Sequence, residues 1–287
     1  MLIKTSDKAA IKLILDKYKL PKADSHKGQN GRVLIIGGSS LFHSASIWAA
    51  EVASHFVDIV HYASTKENEE IFLDLKKKFH NGIIVPQKDL MRYVSEDNAV
   101  LVGSGMMRTD EEGKYTYDLT KKLLESFPNK RFVLDAGSLQ TMPPDWLSEL
   151  KVPAIVTPHQ QEFEKLFSLK VIDKSLEEKQ RLVQTTAKKY HCIILLKAVS
   201  DIVSDGKEIY VVEGGNQGLT KGGTGDVLAG LTVGFYANNP PLLSAVLASF
   251  LLKKTAEELS KKSGYWYNID NIVEALPSQV TTLILKE

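Results

Sequence analysis

The sequence predicts an α/β protein with a mostly parallel central sheet and helices on both faces. Three observations carry this. Short apolar runs rich in Val and Ile recur along the chain, each the length of a strand buried on both sides. Helical stretches separate several of them, an alternation that implies parallel strands joined by crossover helices. Small, polar and charged residues follow the runs, where open α/β sheets collect their ligands.

The elements follow in chain order. Ile11, Ile14, Leu15 and Tyr18 repeat at i, i+3, i+4 and i+7, which predicts an amphipathic helix over residues 5–19, ended by Pro21. Residues 1–25 are therefore expected to be a helical segment laid against one domain spanning 1–287. The apolar runs are "RVLIIGG" (32–38), "VDIVHYAS" (57–64), "GIIVP" (82–86), "AVLVGSG" (99–105), "RFVLDAG" (131–137), "PAIVTP" (153–158), "CIILLK" (192–197), "DIVSD" (201–205) and "EIYVVE" (208–213). The last two read as a hairpin turning at Asp205-Gly206. Helices are predicted at 43–56, 66–79, 110–126, 175–190, 225–237, 242–260 and 269–276.

Bulk properties exclude several classes. Thirty-six Lys plus Arg against 35 Asp plus Glu leave a net charge of +1, which argues against a nucleic-acid or membrane-surface protein. The single cysteine, Cys192, lies in a strand-like run and suggests a reducing compartment. The N-terminus has no long apolar core of a secretory signal, and no run approaches membrane-spanning length. A cytoplasmic location is expected.

The stretch "GLTKGGTGDVLAG" (218–230) brings five glycines around Asp226 at the start of an apolar helix. Glycines before a helix N-terminus let backbone N–H groups approach an anion. By itself the stretch also suits a tight turn with Asp226 as a helix-end carboxylate. It is neither a G-x-x-x-x-G-K-S/T loop nor a dinucleotide fingerprint. A carboxylate beside a phosphate-holding helix end can take the proton from a hydroxyl that attacks phosphorus.

At this point the chain resembles the ADP/ATP-dependent NAD(P)H-hydrate dehydratases of the ribokinase-like superfamily. "GNQGLTKGGTGDVLAG" (215–230) is similar to their signature, and "HKGQNGRVLIIGGS" (26–39) to their opening strand and turn. "FVLDAGSL" (132–139) resembles D-A-D-x-L, "VTPHQQEFEKLF" (156–167) resembles T-P-H-x-x-E-F, and "ILLKAVSDIV" (194–203) resembles L-K-G-x-x-T-x-I. The chain departs at Gly137, the second Asp of D-A-D, at Ala198, a glycine in the family, and at Ser44, where a Gly usually precedes Ala45.

The resemblance implies a ribokinase-like three-layer α/β/α fold. It implies a repair reaction in which hydrated NADH or NADPH is phosphorylated on its ring hydroxyl from ADP, or ATP, with Mg2+, and then loses phosphate. By resemblance Asp226 is the base, and Gly222, Gly223, Thr224 and Gly225 hold the transferring phosphate. Lys197, Ala198, Val199, Ser200 and Asp201 line the adenosine-phosphate pocket, with Lys197 neutralising phosphate charge. Ala45, Gly105, His159 and Asp226 contact the hydrate, and Glu162 holds a magnesium water. A homotetramer is expected on the same ground. The competing reading is a kinase of a small alcohol, of the hydroxymethylpyrimidine or sugar type, that leaves phosphate on its product. A non-catalytic nucleotide-binding protein is a further one, which the intact Asp226 and glycine loop disfavour.

Overall fold

A computed structural model describes residues 1–284. Its ten strands are β1 (Leu2–Lys4), β2 (Arg32–Ile36), β3 (Ile59–Ala63), β4 (Ile83–Ile84), β5 (Ala99–Val102), β6 (Arg131–Leu134), β7 (Ile155–Val156), β8 (Ile193–Leu196), β9 (Asp201–Ser204) and β10 (Ile209–Glu213). They form one sheet in the order β1-β10-β9-β8-β7-β6-β5-β2-β3-β4. Only β9 runs against its neighbours. The hairpin from β9 to β10 turns where Asp205 Oδ1 accepts the backbone N–H groups of Lys207 and Glu208. The resulting class is the mostly parallel α/β one that the sequence predicts.

The central strands are apolar throughout because both faces are covered. In β2, Val33 and Ile35 belong to one core, Leu34 and Ile36 to the other. This alternation is the period-2 geometry of a strand. The first core packs under α1 (Lys8–Leu15), α2 (Ser44–Ala53) and α3 (Lys66–Leu75). The second lies under α4 (Leu90–Glu96), α5 (Asp110–Ser126), α6 (Ala136–Thr141), α7 (Asp145–Ser148), α8 (Gln160–Phe167) and α9 (Leu176–Tyr190). The C-terminal helices α10 (Thr224–Tyr236), α11 (Pro241–Ser263) and α12 (Ile269–Ile284) return to the first core. Every residue of α10 from Val227 to Tyr236 is buried. Its sequence is apolar all round because α2, α11 and α12 enclose it against the sheet.

One expectation changes. The N-terminal segment is not purely helical: Leu2–Lys4 extend the sheet edge parallel to β10, and the helix occupies only Lys8–Leu15. Three residues carry no readable period, and pairing with Val211–Glu213 decides their state. The segment after Thr157-Pro158 forms α8, held by a capping box in which His159 and Glu162 satisfy each other's backbone N–H groups. Among the described residues, no helix is long and apolar enough to cross a membrane.

The strand order reverses between β2 and β5. From β2 the sheet steps outward to β3 and β4; from β5 it steps the other way to β6, β7 and β8. The turns after β2 and β5 meet there, and Gly38 N donates to Ser104 O at 2.8 Å. Such a switch point opens a crevice at the C-terminal strand ends.

Candidate active site

Four ionisable side chains converge near that crevice. Asp135 follows β6, Lys197 follows β8, Glu162 lies in the first turn of α8, and Asp226 lies in the first turn of α10. Lys197 Nζ donates to Asp135 Oδ1 at 2.9 Å and stands 3.9 Å from Glu162 Oε2. Thr157 Oγ1 donates to the same Asp135 oxygen at 2.8 Å. Gln140 Nε2 donates to Glu162 Oε1 at 2.8 Å, while Glu162 Oε2 accepts the His159 backbone N–H at 2.9 Å. Glu162 is 4% exposed, so it is no solvated helix carboxylate.

The electrostatics set Asp226 apart. Burial pushes its carboxyl up, and the nearby negative charge of Asp135 pushes further. Lys197 and the Ser104 hydroxyl work the other way, and the balance stands at about 7. The carboxyl is therefore poised to exchange a proton near neutrality. Lys197 behaves differently. Burial opposes its charge, but Asp135 and Glu162 outweigh burial and hold its ammonium above the ordinary lysine range.

The glycine loop leads into α10. Gly223, its N-cap residue, adopts φ +101°, a conformation that disfavours any side chain. No atom lies within 4 Å of the space above Gly222, so the loop is open to a ligand. Lys197 Nζ sits 3.3 Å from where a Cβ on Gly225 would stand. The lysine thus bridges the loop and Asp135. The Thr224 hydroxyl is buried and has no protein partner.

The segment 197–201 is built from behind. Asp201 Oδ1 accepts from Ala198 N at 2.9 Å, and its Oδ2 accepts from Ser249 Oγ at 2.7 Å. Lys253 Nζ lies 3.5 Å from Asp201 and donates to Val199 O at 2.8 Å. Asp201 and Lys253 are 6% and 5% exposed. The Asp201 carboxylate therefore faces inward and shapes the turn. Val199 points outward at 92% exposure, and Ser200 is half-buried.

A cavity of about 450 Å³ opens on the other side of Asp226. Ala45, Gly105 and Asp226 all line it, together with Phe42, Met106 and Gln140. His159 does not line it; its Nδ1 accepts from Glu162 N at 3.2 Å, and its Nε2 lies 3.6 Å from Glu162 Oε1. Gly137 lies at the cavity wall, where an added Cβ would stand 2.4 Å from the Met106 carbonyl oxygen. An aspartate cannot enter that position without moving the turn after β5. Among the described residues, no three ligating side chains form a ready metal cage. Asp135 and Glu162 are hard oxygen donors near the glycine loop, a set suited to Mg2+ held largely through water.

Sequence reasoning marked Asp135 only as an informative residue directly after a strand, with no role assigned, and overlooked Gln140 and Lys253. Lys253 had a faint signal, as a charge within the apolar run "LASFLLKK".

The strand order and the glycine loop at the head of α10 define a ribokinase-like α/β protein. A ribokinase-like superfamily protein from Enterococcus faecalis V583 superposes with a TM-score of 0.81 at 23% identity, covering 98% of this chain and 96% of that one. A model of the NAD(P)H-hydrate dehydratase family matches residues 33–278, and the chain belongs to that family. It is 33% identical over 254 residues to the ADP-dependent (S)-NAD(P)H-hydrate dehydratase of Nitrosopumilus maritimus, covering 85% of this chain and 86% of that protein. It is 32% identical over 268 residues to the bifunctional NAD(P)H-hydrate repair enzyme Nnr of Methanocaldococcus jannaschii. That match covers 89% of this chain and 49% of the relative, so the chain spans about half the length of such relatives. The ADP/ATP-dependent NAD(P)H-hydrate dehydratase of Bacillus subtilis, co-crystallised with ATP and Mg2+, has the same fold, with a TM-score of 0.80 at 20% identity and coverage of 95% and 96%.

Proposed function

We propose that this chain repairs hydrated NADH or NADPH by ADP-dependent dehydration. One observation carries the reading: Asp226, poised at about 7, stands between the open glycine loop and the cavity lined by Ala45 and Gly105. The hydrate ring enters that cavity with its hydroxyl toward Asp226. ADP lies against the 197–201 turn, with its terminal phosphate over Gly222–Gly225. Asp226 takes the hydroxyl proton as the oxygen attacks phosphorus, and AMP leaves. Backbone N–H groups at the head of α10 and the Lys197 ammonium stabilise the charge on the transferring group. The ring nitrogen lone pair then expels phosphate, a far better leaving group than hydroxide, to leave an iminium ion, and loss of a proton from the adjacent ring carbon restores the dihydropyridine. Magnesium supplies further neutralisation of phosphate charge, with Glu162 and Asp135 placed to hold its waters. His159 acts here by fixing Glu162 and α8, with its ring edge left for the hydrate. We further propose that residues 1–287 act as a single cytoplasmic domain and assemble as a homotetramer, whose mass light scattering would check.

The direct test is incubation with chemically prepared NADH hydrate, Mg2+ and ADP or ATP. Reduced-nicotinamide absorbance should return with release of free phosphate, faster with ADP. A stable phosphate ester would instead identify a small-alcohol kinase.

A further inference from the structure

A second cavity of about 390 Å³ adjoins the first. Met106 and Met107 line both, so the turn after β5 forms part of a shared wall. The second extends over the ends of β2 and β3, from Gly38 to Ser64. Tyr115 on α5 forms one wall and is 50% exposed. Its charged lining consists of two carboxylates, Glu111 and Glu112, and one ammonium, Lys66.

We propose that this cavity seats the adenosine half of the dinucleotide substrate, with the base against Tyr115 and the ribose diol toward Glu111 and Glu112. The inference rests on the reading of hydrated NAD(P)H as substrate. With the ring at Asp226, the rest of the dinucleotide must leave the first cavity. The side toward β8 is taken by the donor on the 197–201 turn and the glycine loop. The open direction is toward β2 and β3, across the Met106–Met107 wall. From β5 to β3 is two strand spacings, about 10 Å, a distance that a pyrophosphate link can bridge. An exposed tyrosine face suits a purine. Carboxylates accept hydrogen bonds from a ribose diol and repel a 2′-phosphate, so the cavity favours NADH hydrate over NADPH hydrate.

Three substrates test this: the hydrates of NADH, of NADPH and of reduced nicotinamide mononucleotide, which lacks the adenosine half. Each is assayed with ADP and Mg2+ on wild type, Tyr115→Ala and the Glu111→Gln/Glu112→Gln double variant. Wild type should prefer NADH hydrate to the mononucleotide hydrate in kcat/KM. Tyr115→Ala should shrink that ratio by about tenfold, the usual scale of one lost base stack. Wild type should also prefer NADH hydrate to NADPH hydrate, and the double variant should narrow the gap. An unchanged ratio between NADH hydrate and the mononucleotide hydrate in Tyr115→Ala would overturn the seat. A wild-type preference for NADPH hydrate would overturn the diol assignment. Wild type inert toward all three hydrates would instead sink the proposed reaction itself.

Discussion

Asp226 shows how a residue's surroundings give it two opposed effects. Buried beside Asp135, its ionised form is disfavoured in the folded protein, which holds it at about 7 against an ordinary 3.8. The folded state therefore binds this proton more tightly than the unfolded chain does. The stability it contributes is fully present below about pH 4 and is lost as pH rises toward 7. The proposed reaction needs the opposite form, because only the carboxylate accepts a proton. The acid limb of kcat/KM should fall tenfold per pH unit below about 7, read from a pH–rate profile. Asp226→Asn should lower turnover by about 10²–10⁴-fold. The same variant should melt above wild type at pH 8, with the gap closing toward pH 4. A lower melting temperature at pH 8 with near-normal turnover would mean that the carboxylate serves only the helix end. In the sequence, Asp226 and its loop were legible because the motif is contiguous. The Asp135–Lys197 contact joins residues 62 apart, and nothing local announces it.

At the scale of elements, the turn between β8 and β9 depends on α11. Lys253 and Ser249 hold Asp201 from that helix, and Lys253 also binds the Val199 carbonyl. Removing one partner of a buried ion pair leaves an uncompensated charge, at a cost of about 3–5 kcal/mol. Lys253→Met should therefore lower the unfolding free energy, read from denaturant curves, by that amount and weaken ADP binding in calorimetry. Adding Asp201→Asn should recover part of the stability, since the stranded carboxylate is then gone. Unchanged ADP affinity in a folded Lys253→Met protein would show that this turn does not hold the donor. The helix–strand alternation was readable because long amphipathic helices such as α5 and α9 keep a clear period. Short pieces were not: β1 has three residues and β7 two, and sheet neighbours supply what sequence length cannot.

Across the whole molecule, the sheet sets the order of the candidate sites. The 197–201 turn, the glycine loop, the cavity beside Asp226 and the second cavity run from β8 toward β3 along the C-terminal strand ends. Asp135, Glu162 and Asp226 thus lie where the proposed donor and hydrate would meet, at one switch point. Binding to the folded state alone should stabilise it by about 2.7 kcal/mol at a ligand concentration 100-fold above Kd. ADP with Mg2+ should accordingly raise the melting temperature of wild type, and less so that of Lys197→Ala, which loses the ammonium beside Gly225. Equal shifts in the two proteins would remove Lys197 from the donor site.

The sequence by itself determined the fold class, the glycine loop and Asp226. Apolar period and turn chemistry are local, and a contiguous motif needs no partner to be read. The tertiary structure alone decided that Asp201 turns inward and that Glu162 is buried. Each of those outcomes depends on distant groups: Lys253 and Ser249 for Asp201, Gln140 and Lys197 for Glu162. A side chain's direction follows from which charges and hydrogen-bond partners share its low-dielectric surroundings, and the chain specifies those only once it has closed on itself.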